Sequence, residues 1–251
     1  MAKQKGIIKL EGTIGDITFF KTEDGYLARE NAPVSAEQIA TDPAFQRTRE
    51  NNAEFGRAGK ASAILRKAFR TVIARTKTSR LPAYLTGEFM RVIKADETNP
   101  RGQRNVIDGE AELLQGFNFN PNAPLSSTVY APYTAVIDRA GGTLNIAIPS
   151  FVPEQGVQAP AGSTHFKVVA MAAAINFEQE DYESNLQESA MLPWNAAATA
   201  ALNLNCNLTP GSAHPLFLVM GIQFYQFVNG TYYSLKDGGF NALQLVKVSG
   251  L

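Results

Sequence analysis

An α+β chain is predicted: an N-terminal β-hairpin and a helical segment, followed by an antiparallel β-sandwich. Three observations lead there. Charge is sorted by half, with 19 Lys+Arg against 12 Asp+Glu in residues 1–107 and 4 against 11 in residues 108–251, so the formal net charge of zero is a cancellation. The first half carries one long apolar stripe at helical spacing, and the second is a series of β-prone runs punctuated by Gly, Asn and Pro. With 251 residues, 45% of them hydrophobic, the chain can bury a full core.

In chain order, Gly15 to Phe20 and Tyr26 to Arg29 flank Glu23, Asp24 and Gly25. An Asp-Gly pair between two β-prone runs predicts a hairpin over 14–30, with Ile7 to Leu10 as a third strand. Ser35 followed by Gln38 forms a capping box, and Asp42 followed by Pro43 is a second helix start, the carboxylate capping and the proline sitting where its missing N–H costs nothing. The helix then runs to about Thr76, with Phe55, Ala58, Ser62, Leu65, Phe69 and Val72 on one stripe. Gly56 and Gly59 each weaken it by roughly 1 kcal/mol relative to alanine. That cost predicts close packing of another backbone there, or a break at Gly56. Pro82 to Lys94 is a further helix, Asn99 to Gly102 a loop, and Asp108 to Gln115 room for one more turn. The charge changes sign near Gly116, which divides the chain into 1–116 and 117–251.

Past that point Thr134 to Asp138 and Thr143 to Ile148 flank Gly141 and Gly142 as a paired unit. His165 to Phe177, Leu186 to Leu192, Ala198 to Leu204, Pro215 to Val228, Tyr232 to Leu235 and Phe240 to Val248 are the remaining strands. Asn229 and Gly230 make a tight turn inside the last group. Seven or so strands with turn signals at short intervals predict an antiparallel sandwich.

The stretches KGIIKLEGTIGDITFFKTEDGYLARE (Lys5 to Glu30), TDPAFQRTRENNAEFGRAGKA (Thr41 to Ala61) and FNALQLVKVSG (Phe240 to Gly250) are those by which the chain resembles an uncharacterised family of conserved proteins from Bacteroidota-type bacteria. The resemblance spans the chain and implies a bacterial or phage-associated origin. It assigns no activity and no functional residue.

Residues that could carry catalysis are few. His165, His214 and Cys206 have no partner at a recognisable spacing, and Cys206 reads as a small buried hydrophobe, so an enzyme is not expected. Gly56 to Lys60 lacks the strand and the Ser/Thr of a phosphate loop. Glu178, Glu180, Asp181 and Glu183 could supply oxygen ligands to calcium but show no regular ligand spacing, and read as a solvated turn. No metal and no cofactor is therefore expected. Met1 to Gly12 is too short in apolar residues for a secretory leader, and no run reaches the roughly 20 apolar residues of a membrane span. The cytoplasm is the default compartment, with an assembled particle or non-classical release compatible.

The sharpest feature is Arg47 to Arg80, with ten Lys+Arg against Glu50 and Glu54. Lys60, Arg66, Lys67, Arg70 and Lys77 gather beside the apolar stripe. They could face water or the acidic half of the same chain, the acidic end of another copy, or nucleic acid. The β half has only 15 charged residues among 144, as interface centres do, and Tyr225, Tyr232 and Tyr233 are candidates for an exposed aromatic face. The expectation is a non-enzymatic structural or interaction protein, a homo-oligomer in which that positive face meets Glu178, Glu180, Asp181 and Glu183 of the next copy to build a particle, filament or lattice. Nucleic-acid binding or packaging by the basic helix is the alternative. A carbohydrate-binding module using Trp194, Tyr232 and Tyr233 is third. No membrane and no small-molecule substrate is expected.

Overall fold

In a computed structural model of the chain, which describes residues 2–30, 35–76, 78, 80–235 and 238–250, the fold is α+β with antiparallel sheets. It divides into two compact units, Met1–Glu50 and Asn51–Leu251, so the expected boundary near Gly116 falls inside the second.

The first unit is a four-stranded sheet and a short helix. Strands β1 (Ala2–Lys3), β2 (Gly12–Ile14), β3 (Ile17–Thr22) and β4 (Gly25–Glu30) lie in the order β1-β4-β3-β2. β3 and β4 pair from Ile17↔Glu30 to Thr22↔Gly25, and Gly25 takes the positive φ of 109° that the turn demands. The strand expected at Ile7 to Leu10 is absent. The Gln4 side chain accounts for it: its amide donates to the carbonyl oxygens of Leu10 (3.2 Å) and Leu27 (3.0 Å) and accepts from the Leu10 N–H (2.9 Å), closing residues 5–10 into a loop. Helix α1 (Ala36–Thr41) starts where Ser35 Oγ accepts from the Gln38 N–H at 3.0 Å. Asp42 Oδ1 likewise accepts from Ala44 N–H at 2.8 Å, and Arg49 donates to the carbonyls of Ile39 and Asp42.

The second unit opens with α2 (Gln46–Ala68, entering from the first unit), α3 (Arg70–Ile73) and α4 (Leu81–Lys94). Ala58, Ser62, Leu65, Phe69 and Val72 are buried as the stripe requires, joined by Ala61, Ile64 and Ala68, whereas Phe55 stays 58% exposed. Gly56 and Gly59 lie inside one unbroken helix, and a Cβ at either would meet nothing within 4 Å. Neither the expected close packing nor a break exists there.

Two sheets follow. β5 (Thr134–Asp138), β6 (Thr143–Ile148) and β10 (Leu202–Asn207) form the smaller, in the order β10-β6-β5. The larger is built on β7 (His165–Asn176) and β11 (Leu216–Val228), which pair from Leu216↔Ala174 to Tyr225↔His165. β8 (Asp181–Glu188) and β9 (Leu192–Pro193) flank β7; β12 (Thr231–Ser234) and β13 (Ala242–Ser249) flank β11. The strands expected at 186–192 and 198–204 are thus shifted.

β7 shows why no simple alternation marks its sequence. Val169, Met171, Ala173 and Ile175 point into a core shared with α2 and α4, while Phe166, Val168, Ala170, Ala172 and Ala174 point into a second core shared with β6 and β10. A strand covered on both faces reads as a continuous apolar run. The helices therefore cover one face of the larger sheet and the smaller sheet packs into the core on the other.

Candidate functional site

Lys60 and Lys67, two helical turns apart, share a side of α2. Lys60 Nζ lies 3.2 Å from Glu180 Oε1, and Lys67 Nζ sits over the Tyr182 ring, 5.9 Å from its centroid. The basic flank of α2 thus lies against the turn between β7 and β8. That turn is shaped by Asn176 Oδ1, which accepts from the N–H groups of Glu178 (3.0 Å) and Gln179 (3.1 Å), and by Glu180 at φ 55°. Glu183 accepts from the Thr209 N–H at 3.0 Å, and Asp181 and Glu178 are exposed. Part of the positive face and part of the negative face therefore meet inside one chain. With side-chain exposures of 74% and 53%, the Lys60–Glu180 pair is worth under about 1 kcal/mol. Arg66 is half-buried and Arg70 exposed; with Leu81 and Pro82 they edge an open groove between α2 and α4. Lys77 lies outside the described residues.

The other charges of α2 are structural. Buried Glu54 accepts from the Gly102 N–H at 2.8 Å, and Arg57 donates to the carbonyls of Gly102 (2.8 Å) and Arg104 (3.0 Å), strapping the loop after α4 to the helix. Asp96 organises the same loop by accepting from the N–H groups of Thr98, Asn99 and Asn105 and from the Asn99 amide. Burial works to raise its pKa, but these donors outweigh it and hold the carboxyl below the usual carboxylate range.

A second charged cluster stands on the helix side of the larger sheet, beside the end of α3. Glu188 on β8 accepts from Arg75, just after α3, and from Lys167 on β7 (3.3 Å). Arg75 also donates to Gln223 Oε1 at 3.4 Å, and Tyr225 Oη donates to the same oxygen at 2.9 Å. Burial of Glu188 raises its pKa, yet Arg75 and Lys167 prevail and keep it below the ordinary glutamate value. The strand register continues this face outward. His165 lies opposite Tyr225, and Phe227 opposite Tyr232. The His165 ring is 5.6 Å from Phe227 and 5.0 Å from Tyr232, and Phe227 and Tyr232 are 4.7 Å apart.

The three predicted aromatics are thereby sorted. Tyr232 joins this platform, Tyr225 stands half-buried behind it, and exposed Tyr233, one residue on, faces the opposite side. Trp194 is half-buried against the second core with Nε1 donating to the Val157 carbonyl at 3.1 Å, a packing role. Cys206 is fully buried, and desolvation pushes its thiol up to about 11, far from a neutral-pH nucleophile. Arg75, Lys167, Glu188 and Gln223 went unnoticed in the sequence; the available signal was Lys167, a lone charge in the apolar run from His165 to Ile175.

No family model, curated protein or solved structure matches the chain. Among the described residues, no helix is long and apolar enough to cross a membrane.

Proposed function

We propose that the protein is a non-enzymatic structural or interaction protein that self-associates into a homo-oligomeric particle, filament or lattice, with the four-stranded sheet of its first unit as the contact surface. The observation that carries this reading is a sheet without a core. Four strands pair in the first unit, yet not one described residue of that unit is buried. Ile7 is 103% exposed, Ile8 79%, Ile14 62% and Ile17 44%.

Fully covering an exposed isoleucine is worth roughly 1.5–3 kcal/mol, so Ile14 and Ile17, the two on the sheet and about half exposed each, leave about 2–3 kcal/mol unrealised. A sheet with a bare apolar face is marginal in water and is stabilised when something packs on it. Ile14, Ile17, Phe19 and Ala28 share one face by register. Residues 1–30 hold five Lys+Arg and five Asp+Glu, so two such faces meet without net repulsion. Because Lys60 is paired with Glu180 within the same chain, apolar contact rather than charge supports the association.

Light scattering coupled to size exclusion over a range of concentrations, at low and high salt, tests it. Apolar association gives oligomers that grow with concentration and survive high salt, and Ile14→Asp with Ile17→Asp reduces them to monomers. A strict monomer at every concentration, or oligomers indifferent to the double substitution, refutes it.

A further inference from the structure

Independently of self-association, we propose that the end of the larger sheet's helix-side face around His165, Phe227 and Tyr232 binds a neutral carbohydrate chain. The ligand is inferred from what the two halves of this surface have in common. The outer half is a platform of His165, Phe227 and Tyr232, three rings in mutual contact, with Phe227 and Tyr232 each 43% exposed. Rings that pack on one another and stay open to water present a rigid apolar surface at small entropic cost. The inner half is a lattice of Arg75, Glu188 and Lys167, partly exposed side chains locked by their bonds to one another, with Arg75 held from beneath by the buried Gln223.

The two halves are continuous. Lys167 and Gln223 are opposite one another, as are His165 and Tyr225 two residues along, and Phe227 is two residues further. At about 3.3 Å per residue the face runs roughly 13 Å, enough for more than one sugar ring. A ligand that uses all of it needs C–H faces to lie on rings and hydroxyls that both donate and accept.

Charge narrows the choice. Glu188 answers Arg75 and Lys167 at close range, so the lattice attracts an anion weakly while its carboxylate retains acceptor sites and its guanidinium retains donors. A polyanion would meet a fixed carboxylate, and a purely apolar ligand would leave the lattice stripped of water and unmatched. Neutral polyhydroxylated chains match both halves. Tyr233, on the opposite face of the same strand, takes no part.

Affinity electrophoresis of the full chain tests this, in native gels cast with hydroxyethylcellulose, xylan, galactomannan or laminarin, and a fifth with heparin. The expected result is retardation by at least one neutral polysaccharide, abolished in Phe227→Ala/Tyr232→Ala and retained in Tyr233→Ala. Thermal unfolding of each variant confirms folding, and Tyr232→Ser alone, expected to lose most of the retardation, stands in if the double variant does not fold. Retardation by none of the four, by heparin alone, or unchanged on removal of the rings overturns the assignment. Because the substitutions avoid the first unit, failure here leaves the self-association reading untouched.

Discussion

Replacing Gly56 and Gly59 together by alanine should make the second unit more stable. Both lie in the interior of α2, where glycine costs about 0.8–1.0 kcal/mol relative to alanine because it surrenders more backbone freedom on folding. That gain is realised only where the added methyl has room, and a Cβ at either position meets no atom within 4 Å. The double substitution is therefore worth about 2 kcal/mol, or roughly 4–8 °C in Tm for a unit of this size. Urea unfolding followed by far-UV circular dichroism reads it as a higher midpoint at unchanged m-value. An unchanged or lowered midpoint, with the variant still helical, would refute the reasoning and mean that another surface closes over these glycines in solution. The two single variants should contribute separately, since each methyl points into open space.

Asp96→Ala strips the acceptor from three backbone N–H groups in the loop after α4 and should cost about 3–5 kcal/mol in chemical denaturation. Because the folded-state pKa of Asp96 lies below its unfolded value of about 4, its contribution is present above that pH and fades as pH falls through the lowered value; a titration of stability showing no acid loss specific to Asp96, against the alanine variant, contradicts this. Cys206 should resist alkylation by iodoacetamide at neutral pH in the native state and react on unfolding, as mass spectrometry would show; rapid native labelling would place it outside the core. A double-mutant cycle on Lys60→Met and Glu180→Gln should return a coupling under about 1 kcal/mol that disappears at high salt, and a larger, salt-resistant value would mean that the pair is shielded in an assembly.

Much of the chain was legible one segment at a time. Ser35 and Asp42 cap as their side chains dictate, because a cap is a bond to a backbone two or three residues away. Thr134–Asp138 and Thr143–Ile148 lie where the sequence places them, since Gly141 and Gly142 join strands that pair with their nearest neighbour. The loop at residues 5–10 escaped the same reasoning because Gln4, not β propensity, decides it.

What required the tertiary structure is every decision about which surface meets which. Lys60 finds Glu180 across some 120 residues, so the sorting of charge along the chain, visible at once in the sequence, did not reveal that part of it is answered internally. The Ala-rich run of β7 feeds two cores because helices arrive on one face and the smaller sheet on the other, a fact no local period encodes. Arg75, Lys167, Glu188 and Gln223 come from three strands and the segment after α3, and they converge only through the register of β7, β8 and β11 and the path of the chain beyond α3. Local hydrogen bonding and side-chain period set which elements form; long-range burial sets their partners, and with them the surfaces left for others to bind.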